Sequence, residues 1–254
     1  MNAKRRNRVA WRMTLAAALL LAVAIARSAT AEPLDILVYG ATGKIGSLAV
    51  EEALRRGHRV TAVSRDPSQI TLRHPQLMAA RGDLLDLDSI AGLAAGKDVV
   101  IISVRGIIGD SGKPESALQL IAVENVVDVL HSMGETAPRL INVGGAGTLE
   151  VRPGVLYADT LPGLFLPRHL ELEIEGQILA LEFLHKVDDV RWTYITPPKH
   201  FTDGERSGHY RIGGDRLMTD RRGRSRISRA DFAVALIDEA ESAAHLMQRF
   251  SVAY

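Results

Sequence analysis

The stretch LDILVYGATGKIGSLAVEEALRRG, residues 34–57, changes pattern twice. Ile36 to Tyr39 is an unbroken apolar run, the signature of a strand buried on both faces of a parallel sheet. Ile45, Leu48, Ala49 and Ala53 then recur at helical spacing, with Arg55 and Arg56 in the last turn and Gly57 as the stop. Between strand and helix lies Gly40-Ala41-Thr42-Gly43-Lys44-Ile45-Gly46. Gly40 permits a tight turn, Gly43 lets backbone approach a pyrophosphate, and Gly46 lets the helix pack closely on the strand with its N-terminus facing the anion. The spacing is G-x-x-G-x-x-G rather than G-x-G-x-x-G, so the glycines alone say little. Their position between a buried strand and an amphipathic helix makes this a dinucleotide site, with Thr42, Lys44 and Ile45 beside the glycines; a turn that binds nothing is the competing reading.

The whole chain has 254 residues, 46% hydrophobic and 24% charged, which suits one α/β domain with a sizeable core. Residues 1–31 stand apart. Lys4, Arg5, Arg6, Arg8 and Arg12 lead into an apolar run from Met13 to Ala26, and Ala29-Thr30-Ala31 ends it. This is the order of a signal peptide with an A-x-A cleavage site, and the run is short for a bilayer span. The sequence therefore predicts an exported, periplasmic protein whose mature domain spans 32–254, with an uncleaved segment tethered to the membrane as the alternative. Arg5-Arg6 is similar to a twin-arginine export signal, although Arg8 stands where such signals carry a hydrophobe.

Without residues 1–31 the chain keeps 25 basic residues against 30 acidic ones, a formal charge of −5 in place of +1. That balance argues against a general nucleic-acid binder. With no cysteine there is no disulfide, thiolate nucleophile or cysteine-held metal to consider. His200 and His209 have no carboxylate at a spacing that would complete a zinc site, so no metal is expected.

Further strands are expected at 59–63, 77–80, 98–103, 140–143 and 191–195, with 249–253 as a final edge strand. Helices are expected over 115–131, 169–186 and, behind a capping sequence at Ser228, 228–241. Alternating strands and helices of this kind predict a Rossmann-like, doubly wound, largely parallel sheet in a single domain, with ligands outside the carboxyl ends of the strands. Arg65 lies 19 residues after Gly46, where an arginine accommodates a ribose 2′-phosphate, and Ser64 beside it is a hydroxyl donor. This favours NADP(H) over NAD(H), with Asp66 as the competing ribose partner. Asp83 and Leu84 follow the third strand near the expected adenine edge. Ser103, Asn142 and Gly144 end later strands, where nicotinamide would meet substrate. Tyr210 is either a platform for a planar substrate or a core residue.

The mature chain resembles the atypical short-chain dehydrogenase/reductases, through GATGKIG at 40–46, SRDP at 64–67, GDLLD at 82–86 and NVGGAGTLEV at 142–151. WTYITPP at 192–198, GERSGHYR at 204–211 and SRISRADFAVALIDE at 225–239 extend the likeness. It is most similar to the NAD(P)H-binding branch with NADH-flavin reductases and proteins of the biliverdin reductase B type; NmrA-like cofactor-sensing proteins share the core. That resemblance implies hydride transfer to a flavin-like, quinone-like or other conjugated acceptor, FMN among them, or else a non-catalytic redox sensor. It also implies that Ser103 and, after a one-residue shift from Lys199, His200 line the substrate pocket. The chain departs from the wider family in lacking Tyr-x-x-x-Lys: four residues after Tyr39, Tyr157, Tyr194 and Tyr210 stand Gly43, Leu161, Pro198 and Gly214. An acceptor that takes hydride at one atom and a solvent proton at another does not need that pair.

Overall fold

The first strand, β1 (Asp35–Tyr39), is buried from Ile36 to Tyr39, as its unbroken apolar run requires. The computed structural model describes residues 32–109, 112–161 and 166–254. The signal-peptide reading of residues 1–31 lies outside the described residues. After β1 come α1 (Gly46–Arg55), β2 (Arg59–Ser64), β3 (Leu77–Arg81), α2 (Leu87–Ala94) and β4 (Val99–Ile102). Helix α3 (Leu118–Met133) leads to β5 (Arg139–Val143), a small hairpin of β6 (Glu150–Arg152) and β7 (Val155–Leu156), and then α4 (Arg168–Leu184). The chain ends with β8 (Trp192–Thr196), β9 (His200–Thr202), β10 (Arg211–Gly213), β11 (Arg226–Ser228), α5 (Arg229–Ser242) and β12 (Gln248–Ala253).

Eight strands form one sheet in the order β10-β12-β8-β5-β4-β1-β2-β3. Every pairing is parallel except β10 with β12. Alternation along β1 divides the core into two layers. Ile36 and Val38 pack with Ala49 of α1 and Phe232 of α5. Leu37 and Tyr39 pack on the other face with Ile90 of α2, Val123 of α3 and Leu181 of α4. The result is the doubly wound α/β fold that the alternating pattern predicts. No helix among the described residues is long and apolar enough to cross a membrane.

Five short strands, β6, β7, β9, β10 and β11, were not expected, and one expected strand takes a different place in the sheet. β12 is not the edge of the sheet, because β10 pairs with it from Arg211–Ala253 to Gly213–Ser251. Ser251, Val252 and Ala253 are all buried, so β12 needs a neighbour on each side. The short β10, with exposed Arg211 and Ile212, takes the edge instead.

The segment before β10 is tied down by two buried carboxylates. Glu52, only 4% exposed, accepts hydrogen bonds from Arg56 (2.8 Å), from Arg206 (2.8 and 3.0 Å) and from Arg55. Asp231 accepts from Ser207 Oγ (2.7 Å), Gly208 N–H (2.7 Å) and Tyr254 Oη (2.5 Å). Tyr210 donates to Asp238 and packs against the α1–α5 layer, so it is a core residue and not a substrate platform. Burial opposes ionisation of Glu52, but the guanidinium groups of Arg206, Arg55 and Arg56 outweigh it and hold the carboxyl far below its ordinary value. Glu52→Gln is expected to cost about 2 kcal/mol at neutral pH, less than a fully buried pair because Arg55 and Arg206 reach solvent. The folded pKa is depressed, so the wild-type advantage is complete above the unfolded value of 4.5 and shrinks as pH falls below it. Urea unfolding of both proteins at neutral and acidic pH checks this; a pH-independent difference would rule it out.

Candidate functional site

The chain runs from β1 outward to β2 and β3, then returns to place β4 on the other side of β1, opening a crevice outside the carboxyl ends of β1 and β4. The backbone closes in tightly here. Gly40 has φ +78°, and a Cβ on it would lie 2.1 Å from the Ser103 carbonyl oxygen. A Cβ on Gly46 would lie 2.1 Å from the Gly40 carbonyl oxygen. Gly43 N–H donates to that same oxygen at 2.9 Å, which shapes the turn. Helix α1 has no side-chain cap, and among the described residues no backbone carbonyl accepts from the N–H groups of Lys44, Ile45 or Gly46. A helix N-terminus with unpaired donors and a glycine-lined approach is an anion site.

Two clefts meet at this turn. The first, about 360 Å³, is lined by Gly40, Thr42 and Gly43 and by Ser64, Arg65, Asp83 and Leu84. The second, about 620 Å³, is lined by Gly43, Lys44, Ile45 and Gly144 and continues past Tyr157 to Lys199 and Phe201. Ser103, Val104 and Arg105 border both, so the two clefts are chambers of one groove. Most of the residues singled out in the sequence are thereby brought together. Gly46 stands behind the turn, where it admits the helix rather than a ligand.

Two further expected site residues, besides Gly46, are not in the lining. Asn142 is fully buried beneath the strand ends, on the face that β5 shares with Ile102 and Tyr194, and among the described residues its amide has no partner. Its chain neighbours Val143 and Gly144 line the second chamber instead. His200 is exposed and faces away from the chamber, while Lys199 and Phe201 on either side line it. In extended backbone alternate side chains point to opposite sides, and β9 is fixed in phase by pairing His200 with Arg226 of β11. In this structure Lys199, rather than His200, borders the chamber.

The second chamber contains groups that no motif marked. Gln119, 3% exposed in the first turn of α3, donates through Nε2 to the Val143 carbonyl, which leaves Oε1 without a partner among the described residues. Arg105 is paired with Glu173 at 2.7 Å. Lys199 Nζ lies 5.2 Å from the centroid of the Tyr157 ring. Burial pushes the phenols of Tyr39 and Tyr194 well above their ordinary value, so neither is a proton source near neutrality. Tyr194 instead packs beneath Gly144, where a Cβ would meet its ring at 2.0 Å, and donates to the Gln177 carbonyl at 3.1 Å.

Gly46 of the turn differs in kind from Gly92, a helical glycine in open space. Gly46→Ala is expected to destabilise by about 2 kcal/mol or more, because the obstructing atoms are backbone and cannot rotate away. Gly92→Ala in α2, where a Cβ would meet nothing within 4 Å, is expected to stabilise by about 0.5–1 kcal/mol. Urea midpoints of the two variants should move in opposite directions.

Comparison with known proteins agrees with this geometry. The chain is 31% identical to a candidate epimerase of Bacteroides thetaiotaomicron, covering 88% of this chain and 98% of that one with a TM-score of 0.77. It is 36% identical to a candidate exported protein of Burkholderia pseudomallei, covering 87% of this chain and 100% of that one with a TM-score of 0.72. It is 28% identical to a candidate NADH-flavin reductase of Streptococcus pneumoniae TIGR4, covering 87% and 99% with a TM-score of 0.68. A family described as NAD(P)H-binding matches residues 40–242, from the glycine turn to the end of α5. The chain belongs to this NAD(P)H-binding family, with the Rossmann-like fold of the atypical short-chain dehydrogenase/reductases.

Proposed function

We propose that this protein is an NAD(P)H-dependent reductase, with NADPH preferred, that passes hydride to a flavin-like, quinone-like or other planar conjugated acceptor without a Tyr-x-x-x-Lys pair. The observation that carries the reading is the junction at Ser103 to Arg105, where a cleft proportioned for the adenosine half of a dinucleotide opens into a larger chamber. When bound, the cofactor would supply hydride from its nicotinamide at that junction. The free N–H groups of Lys44, Ile45 and Gly46 would hold the pyrophosphate, with Thr42 and Gly43 beside it. Asp83 and Leu84 would flank adenine, and Gly144 would leave room for the nicotinamide. Val143, Ile174 and Phe201 give the second chamber apolar walls that exclude water around the reacting atoms. Ser103, exposed to both chambers, is the side chain we assign to hold cofactor and acceptor in register. Positioning of this kind supplies most of the rate, because the acceptor takes its proton from solvent.

Preference for NADPH is supported by the division of labour between Arg65 and Asp66. The Asp66 carboxylate accepts from Ser68 Oγ at 2.7 Å and Ser68 N–H at 3.1 Å, bonds that hold it below its ordinary pKa and commit it to capping a short turn. Arg65 makes no ion pair among the described residues and faces the first cleft. Export is supported by the pattern of residues 4–31 and by the likeness to the candidate exported protein.

The experiment is a fluorescence titration of residues 32–254 with NADPH and NADH, followed by NADPH oxidation in the presence of FMN, riboflavin and quinones. Arg65→Ala should weaken NADPH by about 10- to 100-fold, or roughly 1.5–3 kcal/mol, and leave NADH unchanged. Equal losses for both cofactors would remove the assignment. Tight binding with no turnover on any acceptor would replace the reductase with a cofactor-sensing protein of NmrA-like type. N-terminal sequencing of the protein from cell fractions should read from Glu32 if the signal is cleaved.

A further inference from the structure

We infer that the larger chamber is built for acceptors that carry an anionic group on a planar ring system, with Lys199 as the anion contact and Tyr157 as the aromatic wall. This rests on the reductase reading and narrows its substrate. The chamber is lined by Lys44, Arg105, Lys199 and Arg229 and by one carboxylate, Glu173. Most of this positive charge already has a role. Arg105 gives both Nε (3.0 Å) and Nη2 (2.7 Å) to Glu173. Arg229 is paired with Asp203 and packs over the Phe201 ring. Lys44 belongs to the glycine turn and its phosphates.

Lys199 has no carboxylate partner among the described residues. Its ammonium lies over the Tyr157 ring, 5.2 Å from the centroid, which orients the cation without neutralising it. The backbone beneath it is held in place: Lys199 follows Pro197-Pro198, and its N–H donates to Ser225 Oγ at 3.3 Å. Lys199, immediately before β9, lines the chamber, and His200 does not. Gln119 adds an unpartnered acceptor, Oε1, on a side chain that lines the same space and is 97% removed from solvent, since its exposure is 3%. An aromatic face, an uncompensated ammonium and a buried acceptor together fit a conjugated ring bearing phosphate, carboxylate or sulfonate and an N–H group.

Matched acceptor pairs test this: FMN against riboflavin, and 1,4-naphthoquinone-2-sulfonate against 1,4-naphthoquinone, each with NADPH. Lys199→Met should lower kcat/KM for the anionic member of each pair by about tenfold, through KM, as expected for loss of one charged contact. The neutral members and the KM for NADPH should not change, and Lys199→Arg should restore the anionic preference. Tyr157→Leu should weaken both members of each pair, and Tyr157→Phe neither. Equal effects of Lys199→Met on charged and neutral acceptors, or no effect on either, would overturn the inference. Flavin-fluorescence quenching with NADP-loaded protein separates it from the reductase reading. FMN binding that Lys199→Met weakens about tenfold, with riboflavin binding unchanged, would uphold the subsite even with no turnover, and turnover without discrimination between FMN and riboflavin would overturn the subsite while leaving the reductase intact.

Discussion

Everything at the functional end of this protein depends on the backbone passing through a gap too narrow for a single methyl group. The Gly40 Cα sits against the Ser103 carbonyl, and the Gly46 Cα sits against the Gly40 carbonyl, each so close that a Cβ would approach to 2.1 Å. The first approach joins the end of β1 to the end of β4 across the switch point, and the second draws α1 onto the strand it follows. Both are needed for the unpaired N–H groups of the helix to face the crevice rather than solvent. The glycines thus act as absences of side chain.

The far wall of the groove is set by a different part of the chain. Phe201 belongs to β9, with Lys199 immediately before it; β9 pairs with β11, and β11 runs directly into α5. Ser228 at that corner caps α5 by accepting from the Asp231 N–H at 3.0 Å and donates through its hydroxyl to the Glu205 carbonyl at 2.9 Å. Asp231 and Glu52 then fasten the intervening segment to α1 and α5. The helix that begins at the glycine turn therefore also anchors the loop opposite it. The two buried carboxylates, each costly to desolvate, line neither chamber; they tie the segment before β10 to the helices behind the groove.

The chemistry left to such a groove is limited. Burial raises the pKa of Tyr39 and Tyr194, Tyr210 is bonded to Asp238 in the opposite layer, and none of the three lines the second chamber. Tyr157 alone among the tyrosines borders the second chamber, and its neighbour there is a lysine 42 positions on in the chain rather than four. An arrangement of this kind suits the reductase proposed above, in which the acceptor takes its proton from solvent.

The glycine turn, its flanking strand and helix and the charged end of β2 could be read directly from residues 34–66, and the alternation of the main strands and helices from the rest of the chain, because each depends on local periodicity and on backbone geometry that few residues can adopt. The cap at Ser228 was legible for the same reason. That Asn142 and His200 do not line the groove was not legible, because both sit in extended backbone, where a shift of one residue reverses the direction of the side chain, and only pairing with neighbouring strands sets that phase. β12 read as an edge because its partner β10 is three residues long and lacks a strand pattern of its own. Gln119, Tyr157 and Lys199 carry no motif, and they meet only because the sheet brings α3, the β7 region and the loop after β8 to the same end. The sequence by itself determined a doubly wound sheet with a nucleotide turn, since those follow from local sterics and periodicity. Which side chains surround the second chamber was decided by the tertiary structure, since strand register and long-range packing fix what no short stretch of sequence can encode.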